Sequence, residues 1–420
     1  MTSNHAPPRA YVWVWLPGAT EPVVAGLLEP AGDTVVFNYA RSYLARDNAI
    51  SLYEPELPLG KGRIRPFAGL RVAGCISDAG PDAWGQRVII HRHFGAVGRD
   101  RDSIELGLLT YLLESGSDRI GALDFQTSSD TYVPRIGNGT LEELRFAAER
   151  LEAGEPFSPS IDGALLHGSS IGGARPKALL EDGDRKLIAK FSSSTDPYPV
   201  VKAEAVAMDL ARRVGLNVAA TEITTSLGRD VLLIDRFDRT AIPGERRMLV
   251  SALTLLELDE MAGRYATYFE LADMIRKRFI SPLETLRELF SRIVFNICVG
   301  NTDDHARNHA AFWDGSMLTL SPAYDICPQT RSGGEAAQAM AIGRDGFRLS
   351  QLEGCVTAAE AYLLTEAGAR EIIDQQLLVI NDQWLDAADA SHLTEAERNL
   401  LWNRQILNPF ATDGYTRRVQ

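Results

Sequence analysis

The sequence predicts an α+β chain of two lobes, the first β-rich and the second helical, with a small mixed module ahead of both. Three observations carry this reading. Short β-patterned segments separated by Gly, Pro and Asp open the chain, and a second group of strand patterns follows a Gly-rich stretch near residue 170. Beyond residue 239 the periodicity is mainly helical. The expected divisions are 1–130 for the mixed module, 131–236 for the β-rich lobe with its Gly-rich loop, and 237–420 for the helical lobe.

In order along the chain, Ala10 to Leu16, Val23 to Leu28 and Thr34 to Tyr39 read as a small meander of strands. Helices are expected over Trp84 to His93 and over Ile104 to Glu114, the latter capped by Ser103. Thr140-Leu-Glu-Glu143 is a capping box that opens a helix ending at Gly154. From Ala164 the pattern becomes Gly-rich loop, strand, Glu181-Asp-Gly-Asp184 turn and strand Lys186 to Phe191. A helix from about Val201 to Val214 gathers Ala203, Val206, Ala207, Leu210 and Ala211 on one face and stops at Gly215. Thr221 to Leu227 and Val231 to Asp235 follow as strands around a Gly228-Arg-Asp230 turn. The best-defined helix begins Ser281-Pro-Leu-Glu284, with an N-cap, a proline at the first helical position and a capping-box acid, and delivers the chain to Gly300.

Composition narrows the function. With 43 basic against 56 acidic residues the net charge is −13, which argues against a chain that grips nucleic acid on its own. DNA contact is expected only through a basic partner. Cys75, Cys298, Cys327 and Cys355 are scattered without a C-x-x-C pair, so neither a disulfide framework nor a zinc site is indicated. The first residues lack a basic stretch followed by an apolar one, and no apolar run approaches membrane-spanning length, so a cytoplasmic chain without membrane contact is expected.

The chemistry concentrates in Gly300-Asn-Thr-Asp-Asp-His-Ala-Arg-Asn308, followed by an apolar stretch, an Asp314-Gly315 turn, a second apolar stretch and Ser321-Pro-Ala-Tyr-Asp325. Phosphoryl transfer on the protein-kinase plan needs a catalytic Asp five residues before an Asn that holds Mg²⁺, then a second metal-binding Asp beyond a hairpin. Asp303, Asn308 and Asp325 meet that order. Asp304 is a second candidate base, but only Asp303 has the five-residue offset. Mg²⁺ completes its oxygen shell with water and phosphate, so one carboxylate and one amide suit it. His305 and His309, with Asp303, also allow a zinc reading, which lacks the Glu of an H-E-x-x-H motif. His305 is expected to bond within the loop.

The nucleotide needs a cradle and cations. Ser169-Ser-Ile-Gly-Gly-Ala-Arg-Pro-Lys177 offers Gly172 and Gly173, whose N–H groups can approach phosphates, and Lys177 at the exit; as an isolated pattern it is weak, and an ordinary strand-to-strand turn explains it better. Lys190 shares a strand face with Ile188 and so points inward, where Glu204 is its natural counter-ion; otherwise it is an edge-strand Lys in solvent. Asp235 to Phe237 ends the β-rich lobe where a kinase-like hinge presents backbone groups to adenine.

These pieces together resemble the HipA-type serine/threonine kinases, toxins of bacterial toxin–antitoxin modules. The resemblance rests on Ser170 to Lys177, on Leu233-Ile-Asp-Arg-Phe-Asp-Arg239, on Phe295 to Asn308 and on Leu320 to Asp325. Phe67-Ala-Gly-Leu70 and Pro81-Asp-Ala-Trp-Gly85 match the family's first subdomain. It implies a two-lobed, protein-kinase-like fold and ATP–Mg²⁺-dependent phosphorylation of a protein hydroxyl, an aminoacyl-tRNA synthetase being the best-known class of target. A helix-turn-helix, HipB-like antitoxin is the implied partner. By position Asp303 is the catalytic base, Asn308 and Asp325 hold Mg²⁺, Lys190 binds ATP phosphates, and Asp235 and Phe237 form the adenine hinge. Ser170 is the implied autophosphorylation site, with Ser169 beside it as a second acceptor. Asp304 stands where many relatives have Gly. A small-molecule kinase, or a pseudokinase serving as a co-repressor scaffold, are the alternative readings.

Overall fold

A computed structural model describes residues 9–95, 106–137, 139–153, 155, 170, 175–193, 196–331 and 333–416. Strands β1 (Ala10–Val14), β2 (Val23–Ala31), β3 (Thr34–Tyr39), β4 (Arg63–Ile64) and β5 (Leu123–Gln126) form one antiparallel sheet in the order β4-β3-β2-β1-β5. Helices α1 (Ala83–Phe94) and α2 (Leu108–Glu114) accompany it. The second starts later than expected: Leu106 and Gly107 lie outside it, and Gly107 takes an extended backbone with no side chain to cap the helix. Ser103 and Ile104 are outside the described residues.

Helix α3 (Leu141–Ala153) begins with the expected box, Thr140 N–H donating to the Glu143 carboxylate at 2.9 Å and Glu143 N–H to Thr140 Oγ1 at 3.2 Å. Its Leu144, Ala147, Ala148 and Leu151 pack with Trp84 and Val88 of α1 against the second sheet. That sheet contains β6 (Lys177–Asp182), β7 (Arg185–Phe191), β8 (Thr221–Ser226) and β9 (Arg229–Asp235) in the order β6-β7-β9-β8. The β8–β9 turn falls earlier than expected. Leu227 and Gly228 adopt φ of 47° and 74°, the left-handed pair that closes a two-residue hairpin, so Arg229 and Asp230 join the strand. Helix α4 (Val200–Arg213) packs its apolar face on this sheet, and Gly215 leaves it at φ 90°.

The helical lobe contains α5 (Tyr268–Arg278), α6 (Pro282–Val299) and α7 (Glu366–Ala390), with a small sheet ordered β10 (Leu249–Ser251), β11 (Ala310–Trp313) and β12 (Leu318–Leu320). Pro282 opens α6 as expected, but the capping box does not form. The Ser281 side chain makes no cap bond, and its carbonyl instead accepts from Thr285 N–H at 3.0 Å and Thr285 Oγ1 at 2.7 Å. Leu286, Leu289, Phe290, Ile293, Val294 and Ile297 are buried as their spacing predicts. Gly300 then turns left-handed at φ 71°, and a Cβ there would lie 2.6 Å from the Gln405 carbonyl, so only glycine fits. The four cysteines are buried and form no disulfide with one another. Among the described residues no helix is long and apolar enough to cross a membrane.

Candidate active site

Helix α6 carries the chain to Gly300, whose left-handed turn releases it into the loop Asn301 to Asn308. The β11–β12 hairpin returns it to Asp325: Asp314 Oδ1 accepts from Ser316 N–H at 2.8 Å and Met317 N–H at 2.7 Å, closing the predicted turn. Asn308 and Asp325, distant by seventeen residues, therefore stand side by side, Asn308 Nδ2 donating to Asp325 Oδ2 at 3.0 Å. The other Asp325 oxygen, Oδ1, accepts from Lys190 Nζ at 2.5 Å, and the same ammonium binds Glu204 Oε1 at 2.6 Å. Asp325 itself adopts φ 60°, a left-handed conformation uncommon outside glycine.

Lys190 lies on an interior strand, paired with Lys177 on one side and Leu232 on the other, which removes the edge-strand alternative. Burial alone would lower its proton affinity, yet Asp325 and Glu204 outweigh that and raise it, so it stays charged. Asp325 is held well below the ordinary carboxylate range by Lys190. Lys177, directly across from Lys190 on the same face, is brought down to about 8 by burial and by that neighbouring charge. Two lysines, one glutamate and one aspartate thus converge where β7, α4 and the loop after β12 meet.

The two adjacent aspartates have opposite environments. Asp304 is buried, its Oδ2 accepting from Tyr268 Oη at 2.5 Å, Asn296 Nδ2 at 2.8 Å and His309 Nε2 at 2.9 Å. His309 Nε2 is thereby turned to Asp304 and not to Asp303. Asp303 remains exposed. Burial raises its proton affinity, His305 opposes, and Asp325 and Asp304 raise it further, the direction that suits a general base. The His305 backbone N–H donates to Asn308 Oδ1 at 3.2 Å.

An oxygen-loving cation can be accommodated here. Asp325, with its carboxylate 44% exposed, and the Asn308 amide present a carboxylate and an amide on neighbouring loops. Among the described residues no group of three or more His, Cys, Asp or Glu could hold a metal.

The remaining candidates are placed less centrally. The Asp235 carboxylate points out of the cleft to Arg185 at 2.9 Å, and Phe237 packs on Tyr324 at 5.5 Å between ring centres. Ser170 is buried, its Oγ donating to the Asp118 carbonyl at 3.2 Å. Ser169, Gly172 and Gly173 lie outside the described residues.

Sequence reasoning missed how the mixed module reaches the site. Asp82, the N-cap residue of α1, makes no side-chain cap bond and pairs with Arg307 of the Asn301 to Asn308 loop at 3.2 Å. Two residues on, Trp84 Nε1–H donates to the Lys177 carbonyl at 3.1 Å. The Pro81-Asp-Ala-Trp-Gly85 motif, noted only as a family mark, was the available signal. Tyr324 adds to this, its hydroxyl donating to the Arg307 carbonyl at 2.7 Å.

The HipA-like C-terminal domain matches residues 169–384, and the HipA N-terminal domain matches residues 14–126. The chain belongs to the HipA family. It is 24% identical over 348 residues to Y4mE of Sinorhizobium fredii, covering 74% of this chain and 76% of that protein. The serine/threonine-protein kinase toxin HipA of Shewanella oneidensis is 25% identical over 183 residues, which are 37% of this chain and 42% of that one. HipA of the same organism, solved with HipB and operator DNA, superposes with a TM-score of 0.66 at 18% identity, covering 98% of this chain and all of that one. The two-lobed α+β fold expected from sequence is therefore the HipA fold.

Proposed function

We propose that this HipA-family chain is an ATP- and Mg²⁺-dependent serine/threonine protein kinase acting as the toxin of a toxin–antitoxin pair. The observation that carries the reading is the chain of contacts Glu204–Lys190–Asp325–Asn308 across the cleft, with Asp303 left unengaged beside it. Lys190, oriented by Glu204, binds ATP phosphates, and Lys177 adds a second cation. Asn308 and Asp325 hold Mg²⁺, which when bound neutralises phosphate charge and orients the transferred group. Phe237 and the backbone at Asp235 line the adenine side. Asp303 accepts the proton of the attacking hydroxyl, and its raised proton affinity favours that role.

The antitoxin is a HipB-like helix-turn-helix protein that supplies the basic surface for DNA, which this chain with a net charge of −13 lacks. The relative solved with HipB and operator DNA supports that partner. The target is a protein hydroxyl, with an aminoacyl-tRNA synthetase as the class implied by the family. Ser170, with Ser169 beside it, is the site of self-limiting autophosphorylation. Because Ser170 is packed on Asp118, its loop must leave that contact first, and the added charge of about −1.5 to −2 then keeps it away from ATP phosphates.

Incubating the purified chain with γ-labelled ATP, Mg²⁺ and cell lysate tests the reading. Label in protein bands is expected. Label confined to metabolites would make it a small-molecule kinase, and no transfer at all would leave a pseudokinase scaffold.

A further inference from the structure

The proposed base is one residue from a buried carboxylate that the reaction does not use. Asp304 is joined to three elements through a single oxygen: Tyr268 from α5, Asn296 from α6 and His309 at the start of β11. Asn296 is itself held by the loop, its Oδ1 accepting from Asn301 Nδ2 at 3.0 Å, while Asn301 N–H donates to the Asn296 carbonyl at 2.8 Å. Tyr268, Asn296, Asn301, Asp304 and His309 are all buried. The loop between Gly300 and the short turn at Ala306–Asn308 has no regular secondary structure to fix it.

From this arrangement we infer that Asp304 is the positioning residue of the site: the Tyr268–Asn296–His309 anchor draws it inward and so presents Asp303 to the cleft. The inference rests on Asp303 as the base. An apolar residue at 304 would fill the space, but only a directional acceptor fixes the loop against three rigid elements at once. His309 and Tyr268 outweigh burial and keep Asp304 ionised, and its charge is one of the causes that raise Asp303. Asp304 is thus bonded into the fold.

Tyr268→Phe removes one donor and keeps the ring, so it tests the anchor without emptying the core; Asp304→Asn is the second variant. Phosphoryl transfer from ATP–Mg²⁺ to water or to the chain itself is followed, with Asp303→Ala as reference. A misplacement of about 1 Å costs on the order of 10²-fold, so kcat is expected to fall about 10- to 100-fold while KM for ATP moves less than about twofold. Adding Tyr268→Phe to Asp303→Ala is expected to cost nothing further, because Tyr268 acts through Asp303. Normal kcat in folded Tyr268→Phe beside an inactive Asp303→Ala overturns this inference alone. Full activity in Asp303→Ala removes the base assignment and this inference with it. Equal losses in kcat and ATP affinity, or additive losses in the double variant, mark Tyr268 as merely structural.

Discussion

The proposed catalytic loop, Gly300 to Asn308, and the proposed hinge segment, Asp235 to Arg239, are both short and both dense in charge, yet they use their charges differently. In Asp235-Arg-Phe-Asp-Arg239 every interior charge turns away from the cleft. Arg236 binds Asp118 at 3.0 Å and Asp238 at 2.8 Å, Arg239 binds Asp118 at 2.6 Å and Asp238 at 2.8 Å, and Gly121 N–H donates to Asp238 at 2.7 Å. Both arginines also donate to the Arg119 carbonyl. This clasp joins the N-terminal module to the β-rich lobe. In the loop Gly300 to Asn308, Asp304 and Arg307 are engaged by the fold while Asp303 is left open. Charge density alone therefore does not mark chemistry; an unengaged carboxylate beside a cation-bridged pair does.

The largest combined effect on rate and stability is expected at Lys190, which is held by buried Glu204 and by Asp325. Lys190→Met removes a phosphate-binding cation, for a rate loss of about 10²–10³-fold, and leaves Glu204 buried without its partner, for about 3–5 kcal/mol of stability. Phosphoryl transfer and urea denaturation measure the two; loss of neither would separate Lys190 from the site.

Arg236→Ala sharpens the contrast. Removing one of the two arginines that hold Asp118 and buried Asp238, with Arg239 still on both, is expected to cost about 1–3 kcal/mol, read by denaturation, with transfer retained in the protein that stays folded. Intact stability with abolished transfer would make the hinge charges catalytic and collapse the distinction.

Acid should separate the two regions. Burial would raise Asp238, but Arg236 and Arg239 hold it at about 2, and Asp118 is likewise lowered. Depressed groups stabilise the fold above the unfolded value of about 3.9 and lose that contribution as pH falls through the folded one. Asp303, shifted upward, takes its proton earlier. Transfer is expected to fade first on acidification, with tryptophan fluorescence still native; coincident loss would place Asp303 among the clasped groups.

The smallest effect is expected at Asp82. Its pair with Arg307 is partly exposed, so Asp82→Asn should change stability by less than about 1 kcal/mol and slow transfer by no more than about 10-fold. A larger rate loss would move the N-terminal module from support into the chemistry.

Much of this was legible in the residues. Helix α6 announced itself by proline, apolar spacing and Gly300, and the offset from Asp303 to Asn308 located the loop before any coordinates did. Lys190 and Glu204 followed from strand alternation and the next helix. What pattern could not supply was tertiary: Ser281 looks like a cap but its side chain makes no cap bond, and the Gly228 turn shifted because Leu227 accepted a left-handed conformation. The anchoring of Asp304 needed Tyr268, thirty-six residues away, and the clasp needed Asp118, more than a hundred from Arg236. Such contacts leave no periodic trace.

The most direct measurement is transfer of γ-phosphate from ATP–Mg²⁺ by Asp303→Ala, alongside its nucleotide affinity by calorimetry. Asp303 has no side-chain hydrogen bond or ion pair among the described residues, so ATP binding within about twofold of the unaltered chain and a rate lower by about 10²–10⁴-fold are expected. Near-normal transfer by Asp303→Ala, with transfer lost in a folded Asp304→Ala, would contradict the account and assign the chemistry to the buried aspartate instead.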